Sequence, residues 1–215
     1  MNNIIQNFIN IRDELNGISP TPKIIAVSKT FPLSHIQPLI DYGHQVFGEN
    51  KVQEAKQKWT EVKKKIKNIE LHLIGGLQSN KAKDAVTLFE YIHSVDSLKL
   101  IKELAKAEDK LAIKRKYFIQ VNIGEEKQKS GVLEKNLPNL FEECGLHKLH
   151  IVGLMCIPPV DLDPLPFFLK LKKLNEQLGL SMMSMGMSSD FKEAAKLGST
   201  HLRIGSKIFG NRSIQ

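Results

Sequence analysis

Short runs rich in Val, Ile and Phe recur along the chain with longer amphipathic stretches between them, the rhythm of repeated βα units. Strands are predicted over 23–29, 45–48, 71–75, 91–95, 117–123, 150–157, 180–185 and 201–205. Helical periodicity falls between them, over 34–42, 50–68, 80–88, 97–108, 133–144, 165–178 and 189–197, and most of these stretches stop at Gly or a polar residue. About eight strands is the number a closed (β/α)₈ barrel requires. An extra helix over 4–15 precedes the first strand and is expected to cover the barrel's underside, before Gly17, Ser19, Pro20 and Pro22 break the chain. An open doubly wound sheet would carry a Gly-rich phosphate loop after its first strand, and Thr30-Phe31-Pro32 stands there instead. The pattern therefore predicts an α/β protein, a single (β/α)₈ TIM-type barrel domain over 1–215 with an extra N-terminal helix.

Composition narrows the class. The 215 residues are 41% hydrophobic and 25% charged, enough for a sizeable core and unlike a disordered chain. Two cysteines, Cys144 and Cys156, exclude a disulfide framework and favour a reducing compartment. The apolar stretches are too short for a bilayer and the N-terminus lacks the order of a secretion signal, so a cytoplasmic protein with no membrane partner is expected. A net charge of +8 favours anionic partners. Its densest runs, Lys63-Lys64-Lys65 and Lys114-Arg115-Lys116, read as solvated faces, and no nucleic-acid motif accompanies them.

Chemistry in such barrels gathers where strands end. Strand alternation puts Ile25, Val27 and Lys29 on one side of the first strand, so the lysine points inward at the barrel mouth if the other two fill the interior. Loss of water lowers a lysine pKa and makes its amine nucleophilic toward an aldehyde; the alternative is a side chain that snorkels to solvent. On the last strand His201, Arg203 and Gly205 share a face, which places the arginine inside. Its acceptor is either a carboxylate or an aromatic ring nitrogen such as that of a pyridine cofactor. The loops after strands seven and eight form the usual phosphate site of the fold, and here they carry Ser188, Ser189, Gly205 and Ser206; serines there also serve as plain helix caps. An amine, an arginine and two phosphate-ready loops together suit pyridoxal 5′-phosphate.

The segments Val27-Ser28-Lys29-Thr30, Phe47-Gly48-Glu49-Asn50-Lys51-Val52-Gln53-Glu54, His72-Leu73-Ile74-Gly75-Gly76-Leu77-Gln78-Ser79-Asn80-Lys81, Ser184-Met185-Gly186-Met187-Ser188 and Arg203-Ile204-Gly205-Ser206-Lys207-Ile208-Phe209-Gly210 resemble the pyridoxal-phosphate homeostasis protein family. The resemblance runs from about residue 23 to Arg212. It implies a fold-type III PLP-binding barrel, similar to that of alanine racemase but lacking the second domain. It implies that Lys29 holds the cofactor as an internal aldimine, that Arg203 faces the pyridine nitrogen, and that Ser188, Gly205 and Ser206 hold the phosphate. Asn50, His72 and Met155 would line the pocket, although Asn50 also suits a helix cap and His72 and Met155 also suit the core. Gly124 stands where the family usually has Ser or Asp, a departure expected to loosen that loop.

Racemisation needs one base on each face of the substrate carbon, and Lys29 supplies one. Tyr91 and Tyr117 begin strands, at the wrong end of the barrel, and Tyr42 lies near a helix end. An arginine opposite the ring nitrogen also weakens the ring as an electron sink. The expectation is a monomeric carrier of pyridoxal phosphate in vitamin B6 and amino-acid homeostasis, with no catalytic residue and no metal. Its partners would be the cofactor and PLP-dependent apoenzymes. The competing reading is a slow PLP-dependent amino-acid racemase.

Overall fold

A computed structural model describes residues 3–18 and 20–211, so Ser19 and Arg212 lie outside it. Eight parallel strands close into a barrel in sequence order: β1 (Lys23–Val27), β2 (Val46–Glu49), β3 (Glu70–Leu73), β4 (Tyr91–Val95), β5 (Lys116–Val121), β6 (His150–Cys156), β7 (Met182–Ser184) and β8 (His201–Ile204). Closure is carried by β1 against β8, where Ile25 is in register with Arg203. The helices are α1 (Asn3–Glu14), α2 (Leu33–Asp41), α3 (Val52–Lys65), α4 (Ala82–Leu88), α5 (Leu98–Leu111), α6 (Leu137–Leu146), α7 (Leu165–Gln177), α8 (Phe191–Lys196) and α9 (Ser206–Phe209).

The main core lies between the barrel and this helical ring. On α5, Leu100, Ile101, Leu104 and Ala107 recur at helical spacing and are all buried. Each of the larger ones contributes about 1.5–3 kcal/mol by leaving water. All of β4 is buried, as expected of a parallel strand covered on both faces.

The N-terminal helix is placed differently from the expectation. It packs on α2 and α9, Asn7 Nδ2 donates to the Ile208 carbonyl at 3.0 Å, and Glu14 pairs with Lys192 of α8 and Lys207 of α9. It thus covers the flank between α2 and α9. At the loop around Gly124, Asn122 bonds to Glu126 and to the Lys129 carbonyl, and a Cβ on Gly124 would press 2.6 Å from Pro159 Cγ.

The barrel interior is unusually polar for this fold, whose centre is ordinarily filled by branched apolar side chains. A small cluster of Tyr91, Phe118, Val152 and Met155 shares the interior with buried His72, His93, Ser184, His201 and Arg203.

Candidate functional site

β1 ends at Val27, and the next two residues turn at the barrel mouth. Ser28 Oγ donates to Glu49 Oε1 at 2.7 Å, Lys58 Nζ donates to the Ser28 carbonyl at 2.9 Å, and the Thr30 N–H donates to Glu54 Oε1 at 2.6 Å. Glu49 is fully buried and also accepts from Lys58 Nζ and Trp59 Nε1, both at 2.9 Å. Lys29 is therefore presented from a turn clamped on both sides by β2 and α3. Thr30 itself adopts φ 68°, a left-handed conformation that is strained for a β-branched residue.

Lys29 lines a cavity of about 490 Å³ at the C-terminal mouth of the barrel, within the size range of small-ligand sites. Asn50, Ser188, Arg203, Gly205 and Ser206 line the same cavity, as do Val27, Ile74, Ile157, Met187 and Ser189. Six sequence-derived site residues thus meet around one space. Asn50 is not the residue flanking α3; that position is Lys51, and Asn50 Oδ1 is buried without a hydrogen-bond partner beside the cavity. A Cβ on Gly75 would collide with the Asn50 backbone, so this wall closes only with glycine there.

His72 and Met155 are not among the residues that line the cavity. Both are fully buried in the barrel interior, His72 against Tyr91 and His93, and Met155 within the small inner cluster. Motif resemblance marks a segment; depth along a strand decides which of its side chains reaches the mouth.

Arg203 is 4% exposed and points inward from β8. Its Nη1 donates to Ser184 Oγ at 2.7 Å and its Nη2 to the Cys156 carbonyl at 2.8 Å. Among the described residues no carboxylate forms an ion pair with it, which removes the salt-bridge alternative. Burial pulls the guanidinium below its ordinary value, and the Cys156 thiol and Asp190 act against that. Each terminal nitrogen has a second N–H, so the group retains donor capacity toward a ligand.

At another side of the cavity the Gly205 and Lys207 N–H groups both aim at Ser188 Oγ, at 3.3 Å. Ser188 does not cap α8, which is preceded by Asp190, whose carboxylate accepts from the Met187 N–H at 2.6 Å. Serine hydroxyls and convergent backbone N–H groups make a donor set suited to a phosphate. With the Lys29 amine, the Arg203 guanidinium and the unpartnered Asn50 carbonyl, the residues present fit a phosphorylated pyridine aldehyde.

Comparison with known proteins agrees. The sequence profile of the alanine racemase N-terminal domain matches residues 1–213. A pyridoxal phosphate homeostasis protein of Aquifex aeolicus is 39% identical over 200 residues, covering 88% of this chain and 87% of the relative. This chain belongs to the pyridoxal phosphate homeostasis protein family. The family member of Escherichia coli K12 is 33% identical, with 99% of this chain and 98% of the relative covered. Among solved structures, PipY of Synechococcus elongatus PCC7942 with PLP bound superposes with a TM-score of 0.84 at 33% identity, covering 96% of this chain and 100% of PipY. Alanine racemase of Clostridium difficile 630 shares the barrel, with a TM-score of 0.78 at 14% identity over 57% of its length.

Three residues with evident structural consequence, Glu70, His93 and Ser184, were not singled out from the sequence. A usable signal was present: Glu70 and His72, Tyr91 and His93, and His201 and Arg203 are polar or aromatic pairs at alternate positions of predicted strands or their margins.

Proposed function

We propose that this chain is a single-domain, cytoplasmic carrier of pyridoxal 5′-phosphate that holds the cofactor through Lys29 and takes part in vitamin B6 and amino-acid homeostasis. The observation that carries this reading is the convergence of Lys29, Arg203 and the Ser188–Gly205–Ser206 cradle on one cavity. When bound, the cofactor supplies an aldehyde and an electron-withdrawing ring. Lys29 would hold the aldehyde through its amine. Arg203 would donate toward the ring nitrogen, and its fixed positive charge would oppose protonation there. Ser188 and the backbone at Gly205 and Ser206 would hold the phosphate, while Ile74 and Ile157 would exclude water from the ring.

The same lining supports carriage over turnover. Lys29 and Arg203 are the titratable side chains among the described lining residues. No tyrosine lines the cavity: Tyr91 is buried at the start of β4, Tyr117 donates to Glu108, and Tyr42 follows α2 on the surface. A racemase would need a second base on the opposite face of its substrate. Release to PLP-dependent apoenzymes and a monomeric state belong to the same proposal.

Borohydride reduction of the cofactor-loaded protein followed by peptide mass analysis tests it. The pyridoxyl label is expected on Lys29, with the yellow colour lost in Lys29→Ala. Label on another lysine, or colour surviving that substitution, would overturn the assignment. Sustained amino-acid racemisation on the order of 1 s⁻¹ would replace the carrier reading with the racemase.

A further inference from the structure

A continuous hydrogen-bonded chain runs down the barrel interior from Arg203. Arg203 Nη1 donates to Ser184 Oγ at 2.7 Å. Ser184 Oγ lies 2.8 Å from His93 Nδ1, His93 Nε2 lies 2.8 Å from His72 Nδ1, and His72 Nε2 lies 2.8 Å from Glu70 Oε1. Glu70 Oε1 also accepts from Lys23 Nζ at 2.7 Å, at the partly exposed N-terminal end of the barrel.

The direction of every link follows from the Glu70 end when both imidazoles are neutral. The Glu70 carboxylate accepts, so His72 carries its proton on Nε2 and donates it there, which leaves its Nδ1 as an acceptor. His93 then donates from Nε2 to His72 Nδ1, and its own Nδ1 accepts from the Ser184 hydroxyl, which in turn receives a hydrogen bond from Arg203. One proton per imidazole pairs every ring nitrogen in the chain.

We propose that Ser184, His93, His72 and Glu70 form a one-way relay that positions Arg203 and couples the cofactor cavity to the solvent-facing base of the barrel. The proposal rests on the reading of Arg203 as the partner of the pyridine nitrogen. Among the described residues no carboxylate forms an ion pair with the buried guanidinium, although Asp190 acts on it from further away, and the oriented dipoles of the relay link it to the charge at their far end, Glu70.

The surroundings favour neutral imidazoles. Tyr91 stacks on His72 at 4.5 Å and Phe118 on His93 at 4.4 Å, with His201 at the edge of both histidines. Lys23 and Lys116 stand over Tyr91 at the base, with Glu90 the further charge acting on His72. Burial lowers His72 and His93, and the nearby His72, His201 and Arg203 disfavour a charge on His93 further. Burial raises Glu70, but hydrogen bonds from His72 and Lys23 outweigh it and hold the carboxyl at about 2.

These four are positioning residues, and two measurements separate that role from simple packing. In the cofactor-free protein, ¹⁵N NMR of selectively labelled histidines is expected to show His72 and His93 as neutral Nε2–H tautomers from pH 6 to 8. An imidazolium or an Nδ1–H tautomer at either ring would overturn the relay. In protein loaded with ring-¹⁵N pyridoxal 5′-phosphate, Glu70→Gln and Ser184→Ala are each expected to move the pyridine resonance. Each is also expected to weaken cofactor binding by about 3–10-fold, the scale of the net contribution of one ordinary hydrogen bond. Lower thermal stability with an unmoved pyridine resonance would reduce these groups to core packing. Should Ser184→Ala fail to fold, Glu70→Gln at the barrel base carries the same test. Absence of the borohydride label from Lys29 in the unsubstituted protein would defeat the cofactor reading, and the cofactor-free tautomers would still decide the relay.

Discussion

Thr30 follows the proposed anchor in a conformation that its branched side chain disfavours, and the hydrogen bond to Glu54 holds it there. Thr30→Gly is expected to raise unfolding stability by about 1 kcal/mol in urea titrations, because glycine enters that backbone region without strain. A loss of stability would show that Thr30 is not strained. Lys29 and Arg203 were legible in the sequence because alternation along β1 and β8 has only two outcomes, and apolar neighbours decide between them. Which inward residue reaches the mouth was not legible. His72 and Met155 face inward at a depth the cavity does not reach. Alternation marks Glu70 with His72 and Tyr91 with His93 on their strands, but the link between His93 and Ser184 joins positions 91 apart, a relation no local pattern carries.

The turn that presents Lys29 is built by three elements, β1, β2 and α3, joined by Glu49, Lys58 and Trp59. Glu49 is fully buried and Lys58 nearly so, which makes the pair sensitive to loss of one partner. Lys58→Met should cost about 3–5 kcal/mol by leaving the carboxylate uncompensated, and adding Glu49→Gln should restore much of it. Equal stability of the single and double variants in chemical unfolding would contradict this cause. The major elements were legible, with β4 predicted at its observed bounds. Boundaries elsewhere moved by a few residues, as in the helix predicted over 133–144, which begins as a 3₁₀ turn at Glu134–Asn136 before α6. The four residues of α9 were missed, since one turn is too short to display a period.

Over the whole molecule, buried neutral histidines link folding to pH. Burial, aided by nearby His72 and Lys23, pushes His201 down to about 3, and burial takes His44 to about 4. An unfolded histidine titrates near 6.5, so as pH falls below about 6.5 the unfolded chain takes up protons that the folded one refuses. Their contribution is complete above that value and is lost on acidification, by about 1.4 kcal/mol per pH unit for each such histidine. Unfolding stability measured from pH 8 to 5 should therefore fall, with a shallower slope in His201→Gln; a flat profile would contradict the assignment. Within the two basic runs, Lys63 pairs with Glu90, Lys114 with Glu108, and Arg115 donates to the Val86 carbonyl, so these residues also brace strand and helix ends. The barrel was readable because βα alternation is a global rhythm, whereas its polar interior depends on register around the closed sheet. A crystal structure of the protein loaded with pyridoxal 5′-phosphate is expected to show continuous density from Lys29 Nζ to the cofactor, with the ring nitrogen at Arg203 and the phosphate at Ser188, Gly205 and Ser206. Cofactor bound elsewhere, or a cavity without it beside an unmodified Lys29, would refute Lys29 as the anchor.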